Sequence, residues 1–256
     1  MTEQITQLQK QFKILLVGDN CKDVYVFGEV NRISPEAPVP VFQPMEEIVK
    51  DGMAGNVLKN LEALGCEVDF YHSETSLKKR LIDSKSKQHL LRIDEDATCE
   101  PVSLKVLGEK DLSIYDAVVI SDYNKGTVDY PFVEWIRRSF RGPIFVDTKK
   151  HDLGAFEGCF VKVNAHEYSS AKTLPSPKWL IVTRGENGAE HDGALYLPYT
   201  VDIADVCGAG DTFIAALTYR YLESKSIERA IDFANKAASI TVQHVGVYAP
   251  TLEEIK

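Results

Sequence analysis

Long apolar runs are missing from these 256 residues: none approaches the ~20 consecutive apolar positions that a membrane-spanning helix requires. Paired cysteines are missing too. The five present (Cys21, Cys66, Cys99, Cys159, Cys207) are odd in number and widely spread, with no CxxC pair. That argues against a disulfide framework or a zinc site and suits a reducing compartment. The six histidines show no HExxH spacing. Positive charge is in short supply: 29 Lys and Arg against 38 Asp and Glu leave a net charge of −9. A nucleic-acid surface is disfavoured, because contacts to a phosphate backbone need a basic face. A small phosphorylated ligand needs only a few local cations and is compatible with that balance. Neither GxxxxGK[ST] nor GxGxxG after the first strand occurs, so the phosphate cradles of those nucleotide folds are excluded. The opening "MTEQITQLQKQF" lacks the basic and apolar regions of a secretory signal. The expectation is a cytoplasmic protein without membrane or nucleic-acid partners.

What is present is an ordinary globular composition, 44% hydrophobic, without repeats or low-complexity tracts. The length is enough to bury one substantial core, and no linker rich in Gly, Ser or Pro divides it. "KILLVGD" reads as a buried first strand. "VYVFGEV" and "APVPVFQP" alternate and carry prolines, as edge strands of a small exposed sheet do. "AGNVLKNLEALG" has helical spacing and closes on Gly65. "EVDFY", "KKRLIDS" and "HLLRIDE" read as three strands. From Asp116 strands and helices alternate: "DAVVISDY", "YPFVEWIRRSF", "GPIFVDTK", then the strands "CFVKVNA" and "KWLIVTR". That order predicts a mostly parallel central sheet flanked by helices. Asp192-Gly193 signals a hairpin, and "DTFIAALTYRYLES" and "SIERAIDFANKAASITVQHV" read as two late helices. The expectation is one α/β domain over 1–256, with a small β appendage from segments within about 20–50 and 78–96.

"DVCGAGDTF", Asp205 to Phe213, sets two glycines and an alanine before an aspartate where a helix starts. The first amides of a helix have no partner within it, glycine permits close approach, and the dipole favours an anion. A carboxylate beside such a place suits phosphoryl transfer: amides hold the phosphoryl group while Asp211 takes the proton of an attacking hydroxyl. The plainer alternative is a turn shaped by glycines, followed by an ordinary first-turn acid. The motif's physics leaves both open.

"DVCGAGDTF" resembles the second signature of the ribokinase-like (PfkB) carbohydrate kinases. "GDNCKDVYVFGEVNRISPEAPVPVF" resembles the N-terminal segment of one branch, the D-glycero-β-D-manno-heptose 7-phosphate kinases, which often form the kinase half of a bifunctional heptose kinase/adenylyltransferase. "RISPEAPVP" is particular to that branch. The resemblance continues in order through "LLRIDED", "VVISDYNKG", "IFVDTKK", "VNAHEYS", "IVTRGENGA" and "FANKAAS". It implies a ribokinase-like fold with a β-sheet lid, ATP and Mg²⁺ as nucleotide and metal, and a sugar phosphate as acceptor. It also implies a homodimer through the lid, and a kinase half without its adenylyltransferase.

By this resemblance Asp211 is the catalytic base, with the amides of Cys207 to Asp211, around Gly208, Ala209 and Gly210, as the anion hole. Cys207 reads as a small spacer and not a nucleophile, since no histidine partner accompanies it. Asp23 and its neighbour Asp19 match aspartates of the sugar site, and a strand-end aspartate is also a common turn residue. Gly52 and Asn56 match the sugar-side hinge. Arg80, Lys85 and Arg92 are candidates for the distal phosphate, on strands near the appendage. Thr183, Arg184, Gly185 and Gly188 match the nucleotide loop, Asn235 the helix beside adenine, and Lys149 a phosphate contact. Asn164 and Glu167 match the NxxE element that orients hydrated Mg²⁺, although alone that spacing is more often a helix cap. Two departures stand out. Met53 replaces the second glycine of the hinge, and two helical segments of relatives, after "GCEVDFY" and after "NAHEYSS", are missing or nearly so. Met53 keeps open a kinase with another acceptor. The missing segments keep open a non-catalytic sugar- or nucleotide-binding relative.

Overall fold

A strand covered on both sides needs apolar residues at every covered position, and "ILLVG" supplies them after Lys13. Ile14 and Leu16 enter one core, Leu15 and Val17 the other. The computed structural model describes residues 11–256, so the reading of the opening stretch rests almost wholly on residues outside those described. In chain order the strands are β1 (Lys13–Gly18), β2 (Asn20–Ile33), β3 (Pro40–Met53), β4 (Glu67–Tyr71), β5 (Thr75–Asp83), β6 (His89–Glu95), β7 (Ala117–Asp122), β8 (Ile144–Thr148), β9 (Phe160–Asn164), β10 (Leu180–Thr183), β11 (Ala189–His191) and β12 (Ala194–Tyr196). The helices are α1 (Ala54–Ala63), α2 (Leu104–Gly108), α3 (Tyr130–Ser139), α4 (Ala165–Ser169), α5 (Ala209–Ser224), α6 (Ile227–Thr241) and α7 (Leu252–Ile255).

Sheet A runs β12-β11-β10-β9-β8-β7-β1-β4 and is parallel from β4 to β10. One face packs on α1, α5 and α6, the other on α3 and the segment around Leu153 and Phe156. The chain leaves β1 toward β4 on one side and later adds β7 on the other, so strand order reverses at the β1/β7 edge. Ligand crevices form outside the carboxyl ends of strands at such a point. The hairpin turn lies where Asp192-Gly193 predicts it, with both residues at positive φ (46° and 77°).

Sheet B, β3-β2-β5-β6, is the appendage. Its segments reach further than the expected bounds, to Met53 and back to Thr75. The 14-residue strands β2 and β3 leave sheet A and return, and all of β6 is exposed. The fold class, a mostly parallel sheet flanked by helices with a smaller separate sheet, therefore matches the reading of the sequence. The last long helix is shorter than its periodicity predicts, ending at Thr241. The carbonyl of Val242 accepts the amides of Ala204 and Asp205, which ties that helix end to the loop before the glycine turn. Among the described residues no helix is long and apolar enough to cross a membrane.

Candidate active site

The glycine turn caps α5 at the rim of that crevice. Gly208 is the N-cap at φ 79°, a left-handed conformation glycine adopts without cost, and the helix starts at Ala209. Asp205 fastens the turn from outside: its Oδ1 accepts the Cys207 amide (3.0 Å) and its Oδ2 the Gly246 amide (2.9 Å). The Ala209 amide donates to the Val206 carbonyl at 3.3 Å. The expected anion hole of five amides is thereby reduced to three. Cys207 and Ala209 are engaged, whereas the amides of Gly208, Gly210 and Asp211 have no acceptor among the described residues. Those three amides and the helix dipole make a place for an anion.

Asp211 stands on the first turn and is only 5% exposed. Asn56, on α1, donates to its Oδ2 at 2.8 Å, and the Tyr123 hydroxyl, just past β7, donates to its Oδ1 at 2.9 Å. Burial pushes the carboxyl up from 3.8 to about 6; the Asn56 bond opposes the rise and the charge of Asp147 adds to it. The result is a carboxylate oriented from two sides and poised near neutral pH, as a general base needs. Asn60, Thr212 and Thr241 form a buried hydrogen-bonded chain that locks α1, α5 and α6 together behind it.

On the lid side Asp23 lies on β2, with Arg80 of the adjacent β5 donating to its Oδ1 at 2.6 Å. Gly52 lies against the same carboxylate, and a Cβ there would come within 2.3 Å of Asp23 Oδ2. Asp23, Arg80 and Gly52 thus form one cluster at the lid, while Asn56 contacts Asp211. Arg92 faces Arg80 across the β5/β6 pair, but it is exposed and bonded to Asp94. Lys85 lies in the turn between β5 and β6, not on a strand, and pairs with Glu29. Asp19 is fully buried, and its two oxygens accept the amides of Lys125 and Thr127. It holds the loop that follows Tyr123, and each of its oxygens is engaged by an amide of that loop. Met53 ends β3 at φ 54°, in the left-handed region where a Cβ is strained by about 1–2 kcal/mol.

On the other side of the turn is a cavity of about 370 Å³. Thr183, Gly185, Gly188, Asn235, Ala209 and Gly210 line it together with Phe213 and Val242. Asn235 donates to the carbonyls of Tyr196 and Leu197, which fixes the cavity wall. Arg184 does not line it; its guanidinium grips Glu190 by two bonds, of 3.0 and 2.7 Å. Lys149 is not a free cation either, because it pairs with Glu167 and lies 3.9 Å from Asp147. Burial pulls the Lys149 pKa down, but Asp147, Glu167 and Asp211 together outweigh burial and leave it raised.

Asn164 and Glu167 form the helix cap that their spacing predicts on physical grounds. The Glu167 amide donates to Asn164 Oδ1 and the Asn164 amide to Glu167 Oε2, closing a capping box on α4. Among the described residues no three His, Cys, Asp or Glu side chains gather around a metal position. One carboxylate and one amide at the end of β9 fit a hydrated Mg²⁺ held chiefly by phosphates, and not a cage of protein ligands.

Two groups at the site escape sequence reasoning. Tyr123 lies in "SDYNKG", where nothing in the spacing points it at Asp211. Lys162 and Asp147, one on β9 and one on β8, form a buried pair beneath Gly210. In period-2 strands both look like ordinary alternation, and only the strand register brings them together.

Residues 158–255 match the model of the pfkB family carbohydrate kinases. The bifunctional protein HldE of a Nitratiruptor species is 33% identical over 299 aligned positions, covering 95% of this chain and 64% of that protein. The chain thus spans just under two thirds of the length of that relative, and an alignment longer than the chain itself includes gaps. The crystal structure of phosphofructokinase-2 from Escherichia coli in complex with potassium superposes with a TM-score of 0.72 at 16% identity, covering 96% and 97% of the two chains. Arabidopsis thaliana ribokinase complexed with ribose and ATP gives 0.68 at 17%, covering 96% and 98%. At those identities the structures establish the ribokinase-like fold, and with the family match and the relative they lead to one conclusion. This chain has the ribokinase-like fold, and its residues 158–255 match the pfkB family of carbohydrate kinases.

Proposed function

We propose that this domain transfers the γ-phosphoryl group of ATP to a sugar hydroxyl, with the anomeric hydroxyl of D-glycero-β-D-manno-heptose 7-phosphate as acceptor and the 1,7-bisphosphate as product. The observation that carries the reading is Asp211 beside three amides without acceptors at the start of α5, between a lid and a cavity of nucleotide size. ATP occupies the cavity bordered by Thr183, Gly188 and Asn235, and its terminal phosphate meets the amides of Gly208, Gly210 and Asp211. The sugar lies under sheet B against Asp23 and Asn56, with Arg80 toward its phosphate. The acceptor oxygen attacks the γ-phosphorus as the bond to the β,γ-bridging oxygen breaks. ADP leaves with that electron pair, and the hydroxyl proton passes to Asp211. Mg²⁺, held through water by Asn164 and Glu167, would neutralise phosphate charge. Closure of sheet B excludes water and so limits ATP hydrolysis. The exposed apolar side chains Met45, Val49 and Leu91 of that sheet support dimerisation through the lid.

The heptose assignment follows the "RISPEAPVP" resemblance and the HldE relative. An ADP-release screen over heptose 7-phosphate, fructose 6-phosphate, ribose and adenosine, with phosphorus NMR of the product, tests it. Activity on adenosine alone would overturn the acceptor, and release with none of them would overturn the reaction.

Met53 favours a second acceptor, because a side chain at the hinge narrows the sugar side. Met53→Gly is expected to change the KM for the sugar several-fold while leaving that for ATP within about twofold; equal changes in both would sink the hinge argument. The pH profile offers another check. With Asp211 near 6, kcat should fall as pH drops below about 6 and stay flat from 7 to 8, because only the ionised carboxylate accepts a proton. A kcat still level at pH 5 would remove Asp211 as the base.

A further inference from the structure

The buried pair of Lys162 and Asp147 takes no part in the chemistry above. Alternation along β8 and β9 sends Phe145 and Phe160 into the core under α5, and Asp147 and Lys162 follow them on that face, one period nearer the carboxyl ends. Lys162 Nζ donates to Asp147 Oδ2 at 2.7 Å, with the two side chains 4% and 3% exposed. Desolvating two charges is repaid only when the remaining polar atoms are satisfied, and among the described residues Asp147 Oδ1 has no hydrogen-bond partner, only the Lys149 ammonium 3.9 Å away. As a stabilising device the pair is poor. Its position is more telling. A Cβ on Gly210 would lie 2.8 Å from Lys162 Nζ and 3.9 Å from Asp147 Oδ2, so the ammonium presses against the backbone of the first turn of α5. The amides of Gly210 and Asp211 in that turn are among those without an acceptor.

We propose that Lys162 is a positioning residue for phosphoryl transfer: its ammonium, held by Asp147 in the space that Gly210 leaves open, adds positive potential to the anion-binding turn and to Asp211 beside it. The role in transfer rests on the kinase reading; the effect on Asp211 does not. Asn56 faces Asp211 from α1, Tyr123 from the loop after β7, Asp147 and Lys149 from β8 and its end, Lys162 from β9, and Cys207 from its own turn. Burial raises both the Tyr123 hydroxyl and the Cys207 thiol, so these stay neutral near pH 7, and Lys149 is paired with Glu167. Asp147 and Lys162 thus remain as a pair of opposite charges acting on the carboxylate with opposite sign: Asp147 raises its pKa and Lys162 lowers it.

The test is the titration of the Asp211 carboxyl, followed by carbon NMR in ligand-free protein and assigned with Asp211→Asn. Lys162→Met should move its midpoint up and Asp147→Asn should move it down, each by about half a unit or more, and the double variant should return close to wild type. The acid limb of kcat should move with it, and Lys162→Met should lose about tenfold in kcat with little change in the KM for ATP. Because Lys162→Met strands a buried charge and can unfold the chain, Asp147→Asn and the double variant carry the test independently. Shifts of one sign in both single variants, or none in any, would overturn the proposal. Shifts of opposite sign in a wild type that phosphorylates no acceptor would support the electrostatic role while the kinase reading failed.

Discussion

Replacing Asp211 with asparagine is expected to lower kcat by roughly 10²–10⁴ while leaving nucleotide affinity nearly unchanged, the range for removing a general base. The carboxylate touches Asn56 and Tyr123 and not the nucleotide cavity, so its loss falls on the chemical step. Steady-state kinetics with a nucleotide-binding titration on the same protein checks this, and unchanged turnover would take Asp211 out of the mechanism. The same substitution has a second readout, of opposite character. A carboxyl raised from 3.8 to about 6 on folding contributes stability that is fully present below 3.8 and is lost as pH rises through about 6. At pH 8 the ionised side chain therefore costs the folded protein, by about 3 kcal/mol as an upper figure. Asparagine has no charge to bury. The variant's thermal midpoint at pH 8 should equal or exceed that of the wild type, with the advantage shrinking as pH falls toward 4. A midpoint several degrees lower at pH 8 would overturn the burial account.

Gly208→Val is expected to cut kcat by about 10²–10³, comparable to losing one donor of an oxyanion hole. Two costs coincide at this residue. Its φ of 79° suits glycine, and valine's branched side chain is strained there by about 1–3 kcal/mol. The added Cβ would also approach Asn56 Nδ2 to 2.8 Å and Val247 Cγ1 to 3.1 Å. Asn56 cannot retreat and keep its bond to Asp211, so the anion turn and the base are disturbed together. Gly65 offers a control, since its φ is also positive at 84° but none of the described residues comes within 4 Å of its would-be Cβ. Gly65→Ala should lower the thermal midpoint modestly and leave kcat within about twofold. An equal loss of kcat in both variants would mean that the effect is general destabilisation.

Much of this was legible because local physics and tertiary need agreed. The apolar runs of β1, β7, β8 and β9 are buried on both faces and read as strands, and Gly65 and Asp192-Gly193 end or turn elements as their backbone freedom predicts. The glycine turn before Asp211 was visible for the same reason. Legibility failed where one residue type serves two ends. Asp19 and Asp23 are strand-linked aspartates four residues apart, yet one holds backbone amides and the other holds Arg80. Lys149 and Arg184 look like free cations in the sequence and are each committed to a glutamate. Nothing in their spacing announces a partner.

The sequence by itself determined the α/β class, the order of the main strands and long helices and the place of the glycine turn, because each depends on periodicity or backbone freedom within a few neighbouring residues. Only the tertiary structure decided which groups meet at Asp211. Asn56, Tyr123, Asp147 and Lys162 come from four separate elements and converge through strand register and helix packing. Burial of the carboxylate among them, which sets its proton affinity, is a property of that packing and of no single stretch of chain.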